Sequence, residues 1–221
     1  MIHIVGVGPG SLEWMTQEGQ RVLSSAQVVV AGARLLEALP LRAETRRVEL
    51  PAAGMADALA GVLEREAARG DVVLAVSGDP GFYSLARRAI AHFGRENIRI
   101  VPGISSLQIL SARLGRSWVN VRTATIHGRE YPDRAELRRD LGRAPALAVL
   151  LGGADDAVAH MRWLAEDAEL AEAWAAVGWD LGLPKEQVFD APTLRDLLRC
   201  PYIGRLALLW LERKDRGGEN V

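Results

Sequence analysis

Cysteine and lysine are nearly missing from this 221-residue sequence: Cys200 is the single cysteine, and lysine occurs only at Lys185 and Lys214. One cysteine excludes an internal disulfide. A charge excess of either sign is missing too. The 27 basic residues stand against 28 acidic ones, for a net charge of −1. That argues against a general nucleic-acid binder, whose affinity comes from a strongly basic surface, while leaving room for a local basic pocket. No stretch approaches the roughly 18 consecutive apolar residues of a membrane span. The opening MIHIVGVGPG has no basic region, long apolar run or small-residue cleavage site, so no signal peptide is read and a cytoplasmic location is expected. The four histidines, His3, His92, His127 and His160, show no paired spacing with Cys or carboxylates, so no protein-bound metal is expected.

What is present is an ordinary globular balance, 49% hydrophobic and 25% charged, in a chain long enough for one large domain or two small ones. The six tryptophans are read as packing residues. The preference for Arg over Lys suits bidentate carboxylate binding, although a GC-rich genome is the plainer cause. In the first half, Ile2–Val7, Val28–Val30, Arg47–Leu50, Val72–Val76 and Ile98–Val101 read as strands. Val72–Val76 is continuously apolar, as a strand buried on both faces of a parallel sheet is. Between them, Thr16–Ala26 predicts a helix capped by Thr16, and Gly32–Leu39 a short one halted at Pro40. Met55–Arg69 predicts a helix with Leu59, Val62, Leu63 and Glu66 on one face. Ser84–Phe93 and Ser105–Leu114 predict two more. A second set follows, with strands over Arg122–Ile126, Leu147–Leu151, Ala173–Val177 and Leu206–Leu211, and helices over Arg134–Leu141, Asp155–Ala165 and Thr193–Leu198. This alternation predicts an α/β fold with mostly parallel sheets. Gly115-Arg116-Ser117 interrupts it, so the boundary is placed near Leu114–Val121, giving domains of residues 1–117 and 118–221.

Three turns follow strands of the first set, where ligands bind in α/β sheets. The first is Gly6-Val7-Gly8-Pro9-Gly10. It departs from a dinucleotide fingerprint: Ser11 stands at the third glycine position, Pro9 stiffens the loop, and Ala26–Val30 supplies no acidic residue where one is expected. No P-loop signature occurs either. The second is Ser77-Gly78-Asp79-Pro80-Gly81-Phe82-Tyr83-Ser84. Its glycines let backbone approach a ligand closely. Asp79 either meets a cationic group or caps an Asp-Pro-Gly turn. The third is Val101-Pro102-Gly103-Ile104-Ser105-Ser106. Here Ser105 or Ser106 caps a helix, and the helix-start amides and hydroxyls can also grip a carboxylate.

The run VGVGPGSLEWMT resembles the opening of the tetrapyrrole methylases, with Met15-Thr16 standing for that family's Leu-Thr-like pair. VSGDPGFYS resembles its glycine-aspartate-proline loop, and VPGISS its proline-glycine-(Ile/Val)-(Ser/Thr)-(Ser/Ala) turn. Order and spacing agree over nearly the whole chain. GDPGFYS, PGISSLQ and the later Ile126-His127-Gly128-Arg129 resemble the cobalt-precorrin-7 (precorrin-6Y) carbon-5 methyltransferase branch.

The resemblance implies a two-domain α/β homodimer with S-adenosylmethionine in a cleft between the domains, acting on a corrin precursor of cobalamin biosynthesis. By position it implies that Pro9 lines the cofactor cleft and that Ser77, Gly78, Asp79 and Phe82 form the loop around the methionine part. Ser105 and Ser106 match the cofactor-contacting pair, and Leu151, before Gly152-Gly153, the apolar residue on the adenosine side. Many relatives carry an acidic-Asn pair near Val177–Leu183, where this chain has Gly178-Trp179-Asp180, so no contact is carried over there. Methyl transfer needs alignment more than a nucleophilic side chain. His127 is the candidate general base for a ring proton. Arg129, with Arg113 and Arg116 behind it, is the candidate for the substrate's carboxylates. The rivals are another precorrin methylase, a diphthine or ribosomal-RNA methylase of the same fold, and a non-catalytic Rossmann-type module. A separate partner enzyme for carbon-15 methylation and decarboxylation is expected.

Overall fold

The computed structural model describes residues 1–9, 11–126, 132–152, 154–201 and 204–214. The chain divides into two compact units, Met1–Ser105 and Ser106–Val221. The division falls at the start of the helix Ser106–Leu114, whereas the break in sequence pattern falls at its end.

In the first unit, β1 (Ile2–Gly6), β2 (Val28–Gly32), β3 (Arg46–Leu50), β4 (Val72–Val76) and β5 (Ile98–Val101) form one parallel sheet in the order β3-β2-β4-β1-β5. Helices α1 (Gln17–Ser25), α2 (Ala33–Ala38), α3 (Met55–Ala67) and α4 (Ala86–Phe93) alternate with the strands. All five residues of β4 are buried, and the strand's period of two sends them to opposite faces. Val72, Leu74 and Val76 pack with Ile2, Ile4 and the Leu59 and Leu63 side chains of α3. Val73 and Ala75 pack with Val5, Val29, Leu23 of α1 and Leu35 and Leu36 of α2. Both faces are thus covered, which accounts for the unbroken apolar run.

Local signals act as the sequence predicts. The Thr16 hydroxyl accepts a hydrogen bond from the Gly19 amide at 3.1 Å and caps α1, worth about 1 kcal/mol. α2 ends at Leu39, before Pro40. The buried face of α3 includes Glu66, 3% exposed, whose carboxylate accepts from Arg46 at 3.1 Å. A buried acid needs such a partner.

The second unit runs α5 (Ser106–Leu114), β6 (Arg122–Thr125), α6 (Arg134–Arg143), β7 (Leu147–Gly152), α7 (Ala154–Leu164), α8 (Ala168–Glu172), β8 (Trp174–Trp179), β9 (Gln187–Ala191), α9 (Leu194–Leu197) and β10 (Ala207–Glu212). Its sheet order is β6-β7-β10-β8-β9. Only β6 and β7 pair in parallel; the other three pairs are antiparallel. The expectation of mostly parallel pairing holds for the first sheet and not for this one. Parallel neighbours need a crossover, usually a helix, and α6 supplies it between β6 and β7. The connection 180–186 between β8 and β9 contains no helix, so β9 turns back beside β8. β10 then enters between β7 and β8 against the direction of both. No helix among the described residues is long and apolar enough to cross a membrane.

Candidate functional site

In the first sheet, register sets the strand ends level. Gly6 of β1 lies opposite Val76 of β4, and Val5 lies opposite Val101 of β5. The turns after β1, β4 and β5 therefore emerge side by side, with the β1 turn in the middle. The hydrogen-bond ladder continues past the strands: Val7 N–H donates to the Val76 carbonyl at 3.0 Å. Gly8 and Gly78 then pair reciprocally, at 2.7 Å from the Gly78 amide and 3.3 Å from the Gly8 amide.

Glycine at 6 and 103 is required by close approach. A Cβ on Gly6 would lie 2.7 Å from the Gly103 nitrogen and from the Gly78 oxygen, and a Cβ on Gly103 would lie 2.3 Å from the Gly78 oxygen. Three backbones thus meet where no side chain fits. Gly78 has a φ of +69°, the left-handed region that glycine enters without steric cost.

Asp79 joins two of the turns. One carboxylate oxygen accepts from the Gly81 amide at 2.7 Å, and the other from the Gly103 amide at 3.1 Å. Both oxygens thus have a backbone partner. Asp79 caps its own turn and also reaches over β1 to the turn after β5, so neither sequence reading describes it fully. On the far side, Thr16 donates to the Pro102 carbonyl at 3.3 Å.

Pro9 is buried, and its carbonyl accepts from Arg34 Nη1 at 2.9 Å. Ser77 is exposed, and its hydroxyl oxygen accepts from Arg34 Nη2 at 3.2 Å. Sequence reading missed Arg34. The available signal was its place just after β2, at the same edge of the sheet as the three turns. Phe82 is half-buried and meets Tyr83 edge-on, centroids 5.0 Å apart. Tyr83 has a φ of +47°, a conformation uncommon for a bulky side chain. Ser105 is buried, and Ser106 opens α5 half-buried. Pro9, Ser77, Gly78, Asp79, Phe82 and Ser105 are thereby brought together at one edge of the first unit.

The remaining expected site residues lie in the second unit. His127 and Arg129 fall outside the described residues, just after buried Ile126. Leu151 is fully buried in the core with Leu147, Val149 and Met161. Its carbonyl receives a 2.6 Å hydrogen bond from Nδ1 of His160, itself only 7% exposed. That makes His160 structural. Arg113 donates to Glu186, and Glu186 also accepts from the Gly182 amide at 2.5 Å. Burial pushes the Glu186 carboxyl up, but the Arg113 and Gly182 hydrogen bonds outweigh it and hold it below its ordinary value; the same pair raises Arg113. Arg116 stands 3.4 Å from Glu212 and over the Trp174 ring. Both arginines behind Arg129 are therefore engaged within their own unit. Asp180, 7% exposed with a φ of +45°, accepts from the Arg205 and Leu206 amides and so acts as a structural pin.

Residues 1–198 match the family of tetrapyrrole (corrin/porphyrin) methylases. Cobalt-precorrin-7 C(5)-methyltransferase of Salmonella typhimurium is 34% identical over 131 residues, 58% of this chain and 62% of that protein. A probable cobalt-precorrin-7 C(5)-methyltransferase of Methanocaldococcus jannaschii is 32% identical over 132 residues, 59% and 62% of the two chains. The chain thus matches less than two thirds of the length of these relatives. In three dimensions it resembles a Thermus thermophilus uroporphyrin-III C-methyltransferase complexed with S-adenyl homocysteine, with a TM-score of 0.72, 23% identity, and 96% of each chain covered. The welded glycine turns after β1, β4 and β5 are the segments that resemble the family's motifs, and the match runs through both units. On these grounds the chain belongs to the tetrapyrrole (corrin/porphyrin) methylase family.

Proposed function

We propose that this protein is an S-adenosylmethionine-dependent methyltransferase that methylates carbon 5 of a corrin precursor, cobalt-precorrin-7 or precorrin-6Y, in cobalamin biosynthesis. The observation that carries the reading is the convergence of three turns at one edge of the parallel sheet, their backbones packed too tightly for any side chain at Gly6 or Gly103. The similarity to cobalt-precorrin-7 C(5)-methyltransferases supports the choice of substrate.

The turns suit the cofactor chemically. The exposed Ser77 and half-buried Ser106 hydroxyls can serve a zwitterionic amino-acid portion and half-buried Phe82 can face the rest of the cofactor, while buried Pro9 and Ser105 shape the turns that carry them. When bound, S-adenosylmethionine supplies an electrophilic methyl group on a sulfonium. The protein's own task is then alignment and exclusion of water. Asp79 contributes by holding the β4 and β5 turns in register. His127 is assigned the management of a ring proton, and Arg129 the binding of a peripheral carboxylate in a planar fork.

The reading carries further expectations. Carbon-15 methylation and decarboxylation are assigned to another enzyme: relatives named for carbon 5 alone are covered to 62% of their length, whereas those named C(5,15)-methyltransferase [decarboxylating] are covered to 48% and 30%. The protein is expected in the cytoplasm. It is also expected to be a homodimer, supported by Trp118 and Val119, 50% and 65% exposed, and checked by light scattering. The deciding experiment is calorimetry with S-adenosylhomocysteine and with NAD, followed by a methylation assay on cobalt-precorrin-7 and, separately, on other precorrins. Binding of S-adenosylhomocysteine alone, with methyl transfer to carbon 5, supports the reading. A flat S-adenosylhomocysteine titration overturns it, and turnover of another precorrin only moves the site of methylation.

A further inference from the structure

We infer that Arg34 is a positioning residue that sets the spacing of the cofactor turns, and that this role requires a guanidinium rather than merely a positive charge. The inference rests on the reading above that these turns hold S-adenosylmethionine.

The sheet order explains why an arginine stands here. β2, β4 and β1 are consecutive neighbours, so two strand spacings, about 9–10 Å, separate the end of β2 from the end of β1. Arg34 is the second residue of α2, directly after β2. Its backbone is anchored by Leu35, Leu36 and Leu39, each at most 7% exposed. From that fixed point the side chain crosses the end of β4 and reaches the turn after β1. Nη2 donates to the Ser77 hydroxyl on the way, and Nη1 donates to the Pro9 carbonyl at the far side. One planar group thus fixes the hydroxyl of one turn and the backbone of another at a set separation. Lysine carries a single ammonium on a flexible stem and cannot hold two acceptors in that geometry.

Asp79 makes the matching connection across β1, from the β4 turn to the Gly103 amide. The two charged side chains together therefore tie the ends of four neighbouring strands, β2, β4, β1 and β5, through hydrogen bonds to the turns themselves. Neither is needed for the hydrophobic core, which closes on both faces of the sheet with aliphatic side chains. The Arg34 arm of the clamp therefore acts on the geometry of the turns more than on global stability.

The test is a set of variants, Arg34→Ala, Arg34→Lys, Ser77→Ala and the double variant Arg34→Ala/Ser77→Ala, measured for S-adenosylhomocysteine affinity and for thermal unfolding. Loss of charge-assisted hydrogen bonds predicts an affinity fall of about ten- to a hundred-fold for Arg34→Ala. Arg34→Lys should fall nearly as far. Ser77→Ala, which also loses the hydroxyl's own contact with the ligand, should weaken binding in both backgrounds but by a smaller factor once Arg34 is gone, while the unfolding midpoints of the single variants stay close to wild type. Coupling that shows in affinity but not in the midpoint is what a purely structural role would not give. Wild-type affinity in Arg34→Ala overturns the inference, and so does full rescue by lysine. Should Arg34→Ala fail to fold, Arg34→Lys decides, because it keeps the aliphatic stem and the charge. Failure of the wild-type protein to bind S-adenosylhomocysteine would instead sink the cofactor reading itself.

Discussion

Asp79 offers the sharpest test of the site, because its two oxygens do different work. Its bond to the Gly81 amide at 2.7 Å closes a local turn, whereas its bond to the Gly103 amide at 3.1 Å joins segments 24 residues apart. Asp79→Ala removes both acceptors. Hydrogen bonds to a charged group are worth about 1.5–3 kcal/mol each, and a donor left unsatisfied adds its own cost. The Gly81 side is exposed, so water replaces much of that contact, and Gly103 is half-buried. The expected net loss is about 2–3 kcal/mol, falling mainly on the relation between the β4 and β5 turns. Asp79→Asn separates the two bonds. Its amide oxygen can still accept from one donor, but its NH2 group cannot accept from the other. Calorimetric titration with S-adenosylhomocysteine should then show about a ten- to hundred-fold weaker affinity for Asp79→Ala, with Asp79→Asn no better than intermediate. At about 2–4 °C per kcal/mol for a chain of this size, melting should drop by several degrees without loss of the cooperative transition. A folded Asp79→Ala protein that binds S-adenosylhomocysteine within a factor of about two of wild type would refute the reasoning. The two bonds would then be turn decoration with no bearing on a ligand.

Gly103→Ala places a Cβ 2.3 Å from the Gly78 oxygen and must part the turns, so S-adenosylhomocysteine affinity should collapse. Gly142→Ala, in α6 with open space around the new methyl, should be neutral or stabilise by up to about 1 kcal/mol, read as a higher melting temperature. Glu186→Gln should cost about 1 kcal/mol or less at neutral pH, since Arg113 is partly exposed and solvent screens the pair. The folded Glu186 carboxyl titrates below its ordinary value of 4.5, so its contribution is present above that pH and lost as pH falls through the lower folded value. Melting curves of wild type and Glu186→Gln should therefore converge on acidification, and a gap that widens would contradict the sign. His127→Ala should slow single-turnover methylation by about 10²–10⁴-fold while S-adenosylhomocysteine affinity stays put. Arg129→Lys should weaken corrinoid binding alone, and wild-type turnover in both variants would leave His127 and Arg129 without a role in the reaction.

How much of this was readable in advance depends on whether the signal is local. The run Val72–Val76, the apolar face of α3 and the Thr16 cap are each set within a few residues, and all three appear where their patterns place them. β9 escaped because Gln187–Ala191 is a half-exposed edge strand with no clean alternation, and α8 because five residues carry too little periodicity. The direction of β10 is not a local property: it follows from which two strands leave a gap for it. At the site, the glycines announced the turns, but the roles of two side chains did not follow. Asp79 reads as a capping residue until Gly103 is seen beside it. Arg34 reads as one more solvated arginine on a helix until the sheet order brings Ser77 and Pro9 within its reach.

On the proposed reading, the arrangement would bear on catalysis through rigidity. A methyl transfer that relies on alignment suffers from any freedom in the groups that hold the donor, and turns after strands are ordinarily the mobile parts of an α/β sheet. Here the turn after β1 sits between the other two because β1 itself sits between β4 and β5. Its backbone is hydrogen-bonded to the β4 turn through Gly8 and Gly78 and lies in contact with the β5 turn at Gly6 and Gly103. A turn in that central place cannot shift without moving both neighbours. The two clamps, Asp79 and Arg34, tie down the flanking turn after β4, which the backbone ladder holds only from one side. The conformational restraint is thus set before any ligand arrives, so little ordering has to accompany binding. On the proposed reading, the first unit contributes a preformed seat for the cofactor.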